Sequence, residues 1–109
     1  MRMRYKTMSQ YGIDADTERA IKERCKKLSA DDRKILFNCA LSAAPGLEAE
    51  VYYSITHMAE REGYYNMARK GWNIPAKPDD FYAYRRKTLA EFYNVLRLCG
   101  LWDKETQKK

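Results

Sequence analysis

Two prolines near the C-terminal end constrain the fold of this chain more than any other feature. Residues 64–70 form a short run that is compatible with a helix, and Gly71 ends it. The helix cannot continue, because Pro75 and Pro78 lack a backbone N–H and disfavour helical geometry in the residue before them. The sequence therefore predicts a short helix, a broken turn and a longer helix over residues 63–102.

The longer helix is expected to run over residues 81–99, capped by Asp79 or Asp80 and ended by Gly100. At 100° per residue, its apolar side chains share one arc of about 120°, wide enough to face a core. This arc comprises Phe81, Tyr82, Leu89, Phe92, Tyr93, Leu96 and Cys99. Arg85 also falls inside it. Because burying an unpaired guanidinium is costly, we expect Arg85 to meet an internal carboxylate, or to lie where the helix protrudes from its core.

Apolar residues at helical spacing predict three further helices upstream. They cover residues 14–28, 31–43 and 47–62, with Asp14 or Asp16 and then Ser29 as the caps of the first two. Gly63 is expected to break the third helix, so that residues 64–70 form a separate one. A single helix over residues 47–70 is the alternative.

Five helical segments and no strand pattern predict one all-α domain over residues 1–109, with a C-terminal helix-turn-helix-like unit. Residues 1–12 are expected to form a flexible basic arm and residues 103–109 a polar tail. The arm is either a frayed terminus or a segment that lies along a phosphate backbone or enters a groove. Leu101 and Trp102 are expected to fold back over the core. The predicted core includes Ile21, Ile35, Leu36, Cys39, Val51, Ile55, Leu89, Phe92 and Leu96.

The motifs of several protein classes are missing from the chain. Cys25, Cys39 and Cys99 fall at apolar helical positions, which predicts buried, reduced thiols. There is no C-x-x-C pair, and His57 has no neighbouring cysteine, so we expect no metal site and no cofactor. Without a Gly-rich phosphate loop or a nucleophile motif, catalysis is not expected. No signal peptide or long apolar run is present, which favours a cytoplasmic protein without a membrane partner.

The charge of the chain favours an anionic partner. The formal net charge is +6, and residues 64–87 carry six cations against two carboxylates, interleaved with tyrosines and a tryptophan. Guanidinium, ammonium and tyrosine hydroxyl groups are the donors that bind phosphate oxygens. The alternative is that the aromatic residues build the core, while the cations form an ordinary solvated surface.

A helix-turn-helix pattern is carried by residues 67–71 (MARKG), 73–75 (NIP) and 81–89 (FYAYRRKTL). This order of a short helix ended by glycine, an apolar residue with proline, and a helix rich in Tyr and Arg resembles sigma-region-4-like regulators. It is especially similar to small phage activators of the ArpU and RinA type. The resemblance implies a DNA-binding transcription regulator of phage or mobile-element origin, with helix 80–99 as the recognition helix. It would place at double-stranded DNA the side chains of Tyr82, Tyr84, Arg85 and Arg86, with Arg69, Lys70, Lys77 and Lys87 on the phosphate backbone.

A second function could use the same residues. Tyr and Arg are also enriched in protein interfaces, so a helical protein-interaction or structural accessory module without DNA binding is the alternative. A palindromic DNA site would in addition call for a homodimer. The two functions differ in their response to salt, because only phosphate binding weakens steeply as salt rises.

Overall fold

Five α-helices and two single-turn 3-10 helices make up the regular structure of residues 6–102, the part of the chain that the computed structural model describes. The α-helices are α1 (Ala15–Cys25), α2 (Ala30–Ala43), α3 (Glu48–Thr56), α4 (Tyr64–Arg69) and α5 (Pro78–Leu98). The 3-10 turns are Ser9–Tyr11 and Met58–Glu60. These residues contain no strand, which confirms the predicted all-α class. Within them, no helix is both long enough and apolar enough to cross a membrane.

Side-chain caps fix the starts of the first two helices, as predicted. Asp14 accepts a hydrogen bond from the backbone N–H of Thr17 at 2.7 Å. Ser29 accepts one from the backbone N–H of Asp32 at 3.0 Å. Both satisfy N–H groups that have no partner inside the helix. Helix α1 ends at Cys25, three residues earlier than expected, because the chain must turn to reach the cap of α2.

The third helix is shorter than predicted, and the single-helix alternative over residues 47–70 is wrong. Helix α3 ends at Thr56, whose hydroxyl donates to the backbone carbonyl of Tyr52 at 2.9 Å. The His57 ring also lies 3.0 Å from a backbone carbonyl, that of Tyr53. Arg61 then adopts a left-handed conformation (φ 58°) that redirects the chain before α4 begins.

Helices α2, α3 and α5 meet at the centre of the molecule. Eight of the nine predicted core residues are buried there, namely Ile21, Leu36, Cys39, Val51, Ile55, Leu89, Phe92 and Leu96. The exception is Ile35, which is only partly buried and packs against the edge of the core. Phe81 and Met67 are also fully buried, so both helices of the predicted helix-turn-helix-like unit contribute to the same core.

The prediction of three buried thiols is correct for two of them. Cys25 and Cys39 are buried, and burial raises their pKa values to about 12 and about 11. Cys99 is exposed, and its prediction was wrong. Helix α5 ends at Leu98, and Gly100 adopts a left-handed conformation (φ 72°) that turns the chain just beyond Cys99.

Both ends of the described chain are attached to the helices. Residues 6–12, expected to belong to a loose arm, instead place Met8 in the core, and residues 1–5 lie outside the described part. At the other end Trp102 packs on Tyr93 with ring centroids 5.1 Å apart, as predicted. The Leu101 side chain is exposed, although its carbonyl accepts a hydrogen bond from Arg24 at 2.9 Å. The predicted tail, residues 103–109, also lies outside the described residues.

Candidate nucleic-acid interface

The connection between α4 and α5 is a folded segment of eight residues, 70–77. Gly71 (φ 99°) ends α4, as expected, and the Trp72 backbone N–H returns to the carbonyl of Met67 at 3.1 Å. The Tyr64 hydroxyl donates to the carbonyl of Ala76 at 3.0 Å, which attaches the end of the connection to α4. These bonds fix the position of α4 relative to the start of α5.

The predicted caps of α5 were wrong. The N-cap is Lys77, and Pro78 occupies the first helical position, where its missing N–H costs nothing and its φ is already helical. Asp79 and Asp80 therefore lie within the first turn, where a carboxylate interacts favourably with the positive end of the helix dipole. Two carboxylates at this end of α5 repel phosphate groups, so the start of this helix is poorly suited to enter a DNA groove.

Tyr82 uses its polar atom inside the fold. Its hydroxyl oxygen accepts a hydrogen bond from the backbone N–H of Tyr64 at 3.0 Å. The ring also stacks edge-on against Phe81, with centroids 5.6 Å apart. A Cβ built on Gly63 would lie only 2.5 Å from the Tyr82 hydroxyl oxygen, so glycine is needed where the tyrosine meets the chain. The structure places Tyr82 as a link between α4 and α5.

Arg85 is largely buried and points towards α3. Its Nη1 donates to the hydroxyl of Ser54 at 3.0 Å, and that hydroxyl donates in turn to the carbonyl of Glu62 at 2.6 Å. The guanidinium also lies 5.7 Å from the centroid of the Tyr82 ring. Burial lowers the pKa of Arg85, whereas the nearby Tyr82 acts in the opposite direction. The observed partners are thus a hydroxyl and an aromatic ring, and neither arrangement predicted for Arg85 is found.

Arg69, Lys70 and Lys77 are exposed around α4. Lys70 forms an ion pair with Glu62, whose side chain is only 3% exposed, and this hydrogen bond raises the pKa of Lys70. In the structure the left-handed Arg61 turns the next residue inward. The cations at this end are therefore accompanied by Glu62, exposed Glu60 and the two acids that begin α5.

Arg86 lies beside the N-terminal segment, and Lys87 follows it along α5. The Arg86 Nε donates to the backbone carbonyl of Lys6 at 2.9 Å. Lys6 places its ammonium 4.3 Å from the centroid of the Tyr11 ring. The pKa of Tyr11 is raised by burial, lowered by the charge of Arg86 and raised by the charge of Glu91. We call Lys6, Arg86 and Lys87 the N-terminal basic surface.

The eight residues predicted to bind DNA are therefore distributed among different surroundings. Tyr82 and Arg85 are bonded inside the fold, whereas Tyr84 is partly buried and packed against the core. Arg69 and Lys70 lie at the C-terminal end of α4, and Lys77 precedes α5. Arg86 bonds to the Lys6 carbonyl, and Lys87 follows it along α5. The sequence analysis did not predict that Lys6 contacts α5. The pattern that could have indicated this contact is the basic N-terminal stretch, since residues 1–13 carry Arg2, Arg4 and Lys6 and no acid.

Comparison of the chain with protein-family models, curated proteins and solved structures found no match. Within residues 6–102, no group of three or more His, Cys, Asp or Glu side chains is arranged to hold a metal ion. The chemistry available at the N-terminal basic surface is the donation of hydrogen bonds and positive charge to an anion.

Proposed function

We propose that the protein binds the phosphate backbone of double-stranded DNA through the N-terminal basic surface. The observation that carries the proposal is the hydrogen bond from Arg86 Nε to the carbonyl of Lys6, 2.9 Å long. It brings together Lys6 and Arg86, two cations that are far apart in sequence. Clustered cations on one surface are the electrostatic feature that phosphate binding requires.

The contacts available at this surface are mainly to phosphate. Lys6 and Lys87 carry flexible ammonium groups, which bind phosphates as point charges and do not read bases in a fixed geometry. Arg85 and Tyr82, the residues best suited to read bases, are occupied inside the fold. Binding is therefore expected to depend strongly on salt and weakly on DNA sequence.

The resemblance to sigma-region-4-like regulators of the ArpU and RinA type supplies the wider role in this proposal. In that role the protein is a phage or mobile-element regulator of transcription that acts in the cytoplasm. This geometry differs from the one that the resemblance implies. In the proposal, α5 contributes Arg86 to the N-terminal basic surface. Its first turn would stay away from the DNA.

A salt titration of duplex binding tests the proposal. The affinity for a fluorescent duplex is measured by anisotropy at several salt concentrations. Three phosphate contacts predict a slope of log association constant against log salt of about −2.7, at −0.9 per contact. Lys6→Glu combined with Lys87→Glu should remove two contacts and flatten the slope by about 1.8. Arg86 is left intact because it anchors the N-terminal segment.

The matched control reverses two exposed cations elsewhere, Lys27→Glu with Lys34→Glu, and changes the net charge equally. This control should keep the wild-type slope. Equal losses in both double variants would show that only overall charge matters and would overturn the proposed surface. No measurable affinity of the wild type for a duplex at low salt would refute DNA binding and favour the helical protein-interaction module.

A further inference from the structure

A groove with a volume of about 220 Å³ lies between α2 and α5 and opens to solvent. Most of its accessible lining is apolar. The lining residues are Ile35, Asn38, Cys39 and Ser42 from α2, with Glu91 and Val95 from α5. The groove is thus an apolar channel with a carboxylate in one wall, unlike the basic surface proposed to meet DNA.

The carboxylate of Glu91 has unused hydrogen-bonding capacity. Its Oε1 accepts from the Ser42 hydroxyl at 3.4 Å, which is a long bond. Its Oε2 is buried and has no hydrogen-bond partner within the described part of the chain. An ionised carboxylate can accept about four hydrogen bonds, and a buried oxygen without a donor is costly. A donor entering the groove would remove this cost.

We propose that the groove binds a lysine or arginine side chain of a partner protein. The aliphatic stem would pack against Ile35 and Val95, and the cationic head would donate to Glu91 Oε2. Long cationic side chains combine an apolar stem with a charged end in this way. Charge complementarity selects this occupant, because Glu91 is part of a mostly apolar lining and its Oε2 has no hydrogen-bond partner within the described residues.

The size of the groove supports a single side chain as the anchor. A cavity of about 150 Å³ is enough for a benzene molecule, whereas sites for drug-sized ligands usually occupy about 300–1,000 Å³. Leu98 is 87% exposed and lies on the same face of α5 as Glu91 and Val95, at spacings of seven and three residues. It extends the apolar surface beyond the groove. The partner segment should therefore carry apolar residues beside its cation.

The proposal is independent of DNA binding and is tested with synthetic helical peptides. One peptide has an apolar face with a central lysine, and its analogue carries norleucine there. Binding is followed through the backbone amide signals of ¹⁵N-labelled protein. We expect the lysine peptide to shift the signals of Cys39, Glu91 and Val95, and to bind about tenfold more tightly than the norleucine peptide.

Two substitutions make the test specific. Glu91→Gln should abolish the preference for lysine, while the control Glu48→Gln on α3 should leave it intact. Val95→Lys places a cation of the chain itself in the groove, and should block the peptide even if Glu91→Gln fails to fold. Neither groove variant should lower the DNA affinity below that of the wild type, because each makes the net charge more positive by one; this separates the proposal from the proposed function.

Three results would overturn the proposal: equal affinity of the two peptides, signal shifts confined to other surfaces, or no binding. Free n-butylammonium is the remaining probe, and we expect it to bind far more weakly than the lysine peptide. If it bound as tightly as that peptide, the groove would be a site for small amines and the assignment of a protein partner would be wrong.

Discussion

The buried chain of hydrogen bonds from Arg85 through Ser54 to Glu62 gives the sharpest test of the fold. Ser54→Ala removes the hydroxyl that accepts from Arg85 Nη1 and donates to the Glu62 carbonyl. Ser54 itself is fully buried. The variant leaves one guanidinium N–H and one carbonyl without a partner in the interior. At about 1–3 kcal/mol for each buried group left unpaired, the free energy of unfolding should fall by about 2–6 kcal/mol.

A double-mutant cycle separates the two contributions. In an Arg85→Met background the guanidinium is gone, so Ser54→Ala leaves only the Glu62 carbonyl unpaired. The loss of unfolding free energy caused by Ser54→Ala should then fall to about 1–3 kcal/mol. The difference between this loss in the two backgrounds measures the coupling of Ser54 to Arg85. The assay is equilibrium unfolding in urea, with the slope checked for each variant so that a change in midpoint reports stability.

The control is Ser9→Ala, which replaces an exposed serine and should change stability by less than about 0.5 kcal/mol. A loss below about 0.5 kcal/mol for Ser54→Ala would refute the inferred network. The same cycle tests whether Arg85 reads DNA. Under conditions where the Arg85→Met variant is fully folded, this variant should bind a duplex as tightly as the wild type. A specific loss of affinity would contradict the placement of Arg85 in the interior.

Two further predictions follow from contacts described above. Gly63→Ala should destabilise the protein, because its Cβ would lie 2.5 Å from the Tyr82 hydroxyl oxygen; urea unfolding should show a smaller loss in a Tyr82→Phe background, and an equal loss would contradict the contact. The pKa of Asp32 is raised by burial, but hydrogen bonds from Arg24 and Ser29 outweigh this and lower it overall. Asp32 therefore stabilises the fold above its unfolded pKa of about 3.9, and this contribution is lost as the pH falls through its lower folded value. The stability difference between wild type and Asp32→Asn should be constant above about pH 5 and shrink in acid, as measured by urea midpoints; a constant difference down to pH 2 would contradict the shift.

Local chemistry determined most of the features that the sequence could predict. Asp14 and Ser29 cap their helices through bonds to residues three positions away, and Gly71 ends α4 by its own backbone conformation. Periodicity identified the buried face of α5, including the unusual position of Arg85. These are properties of a few neighbouring residues, and a single sequence displays them directly.

Features that depend on distant residues could not be predicted in the same way. Ser54 lies 31 residues from Arg85, and Lys6 lies 80 residues from Arg86. Nothing in the local pattern shows which hydroxyl or carbonyl will face a given guanidinium. The early end of α3 is a further example, because the apolar residues keep their helical spacing beyond Thr56, at Met58 and Ala59.

The bond between Arg86 and Lys6 also determines when the basic surface can exist during synthesis. Arg86 is synthesised 80 residues after Lys6. Contacts between distant residues form late, because the intervening chain must first be ordered. A nascent chain that lacks α5 therefore cannot assemble the N-terminal basic surface, so the proposed contact of that surface with phosphate must follow the synthesis of α5.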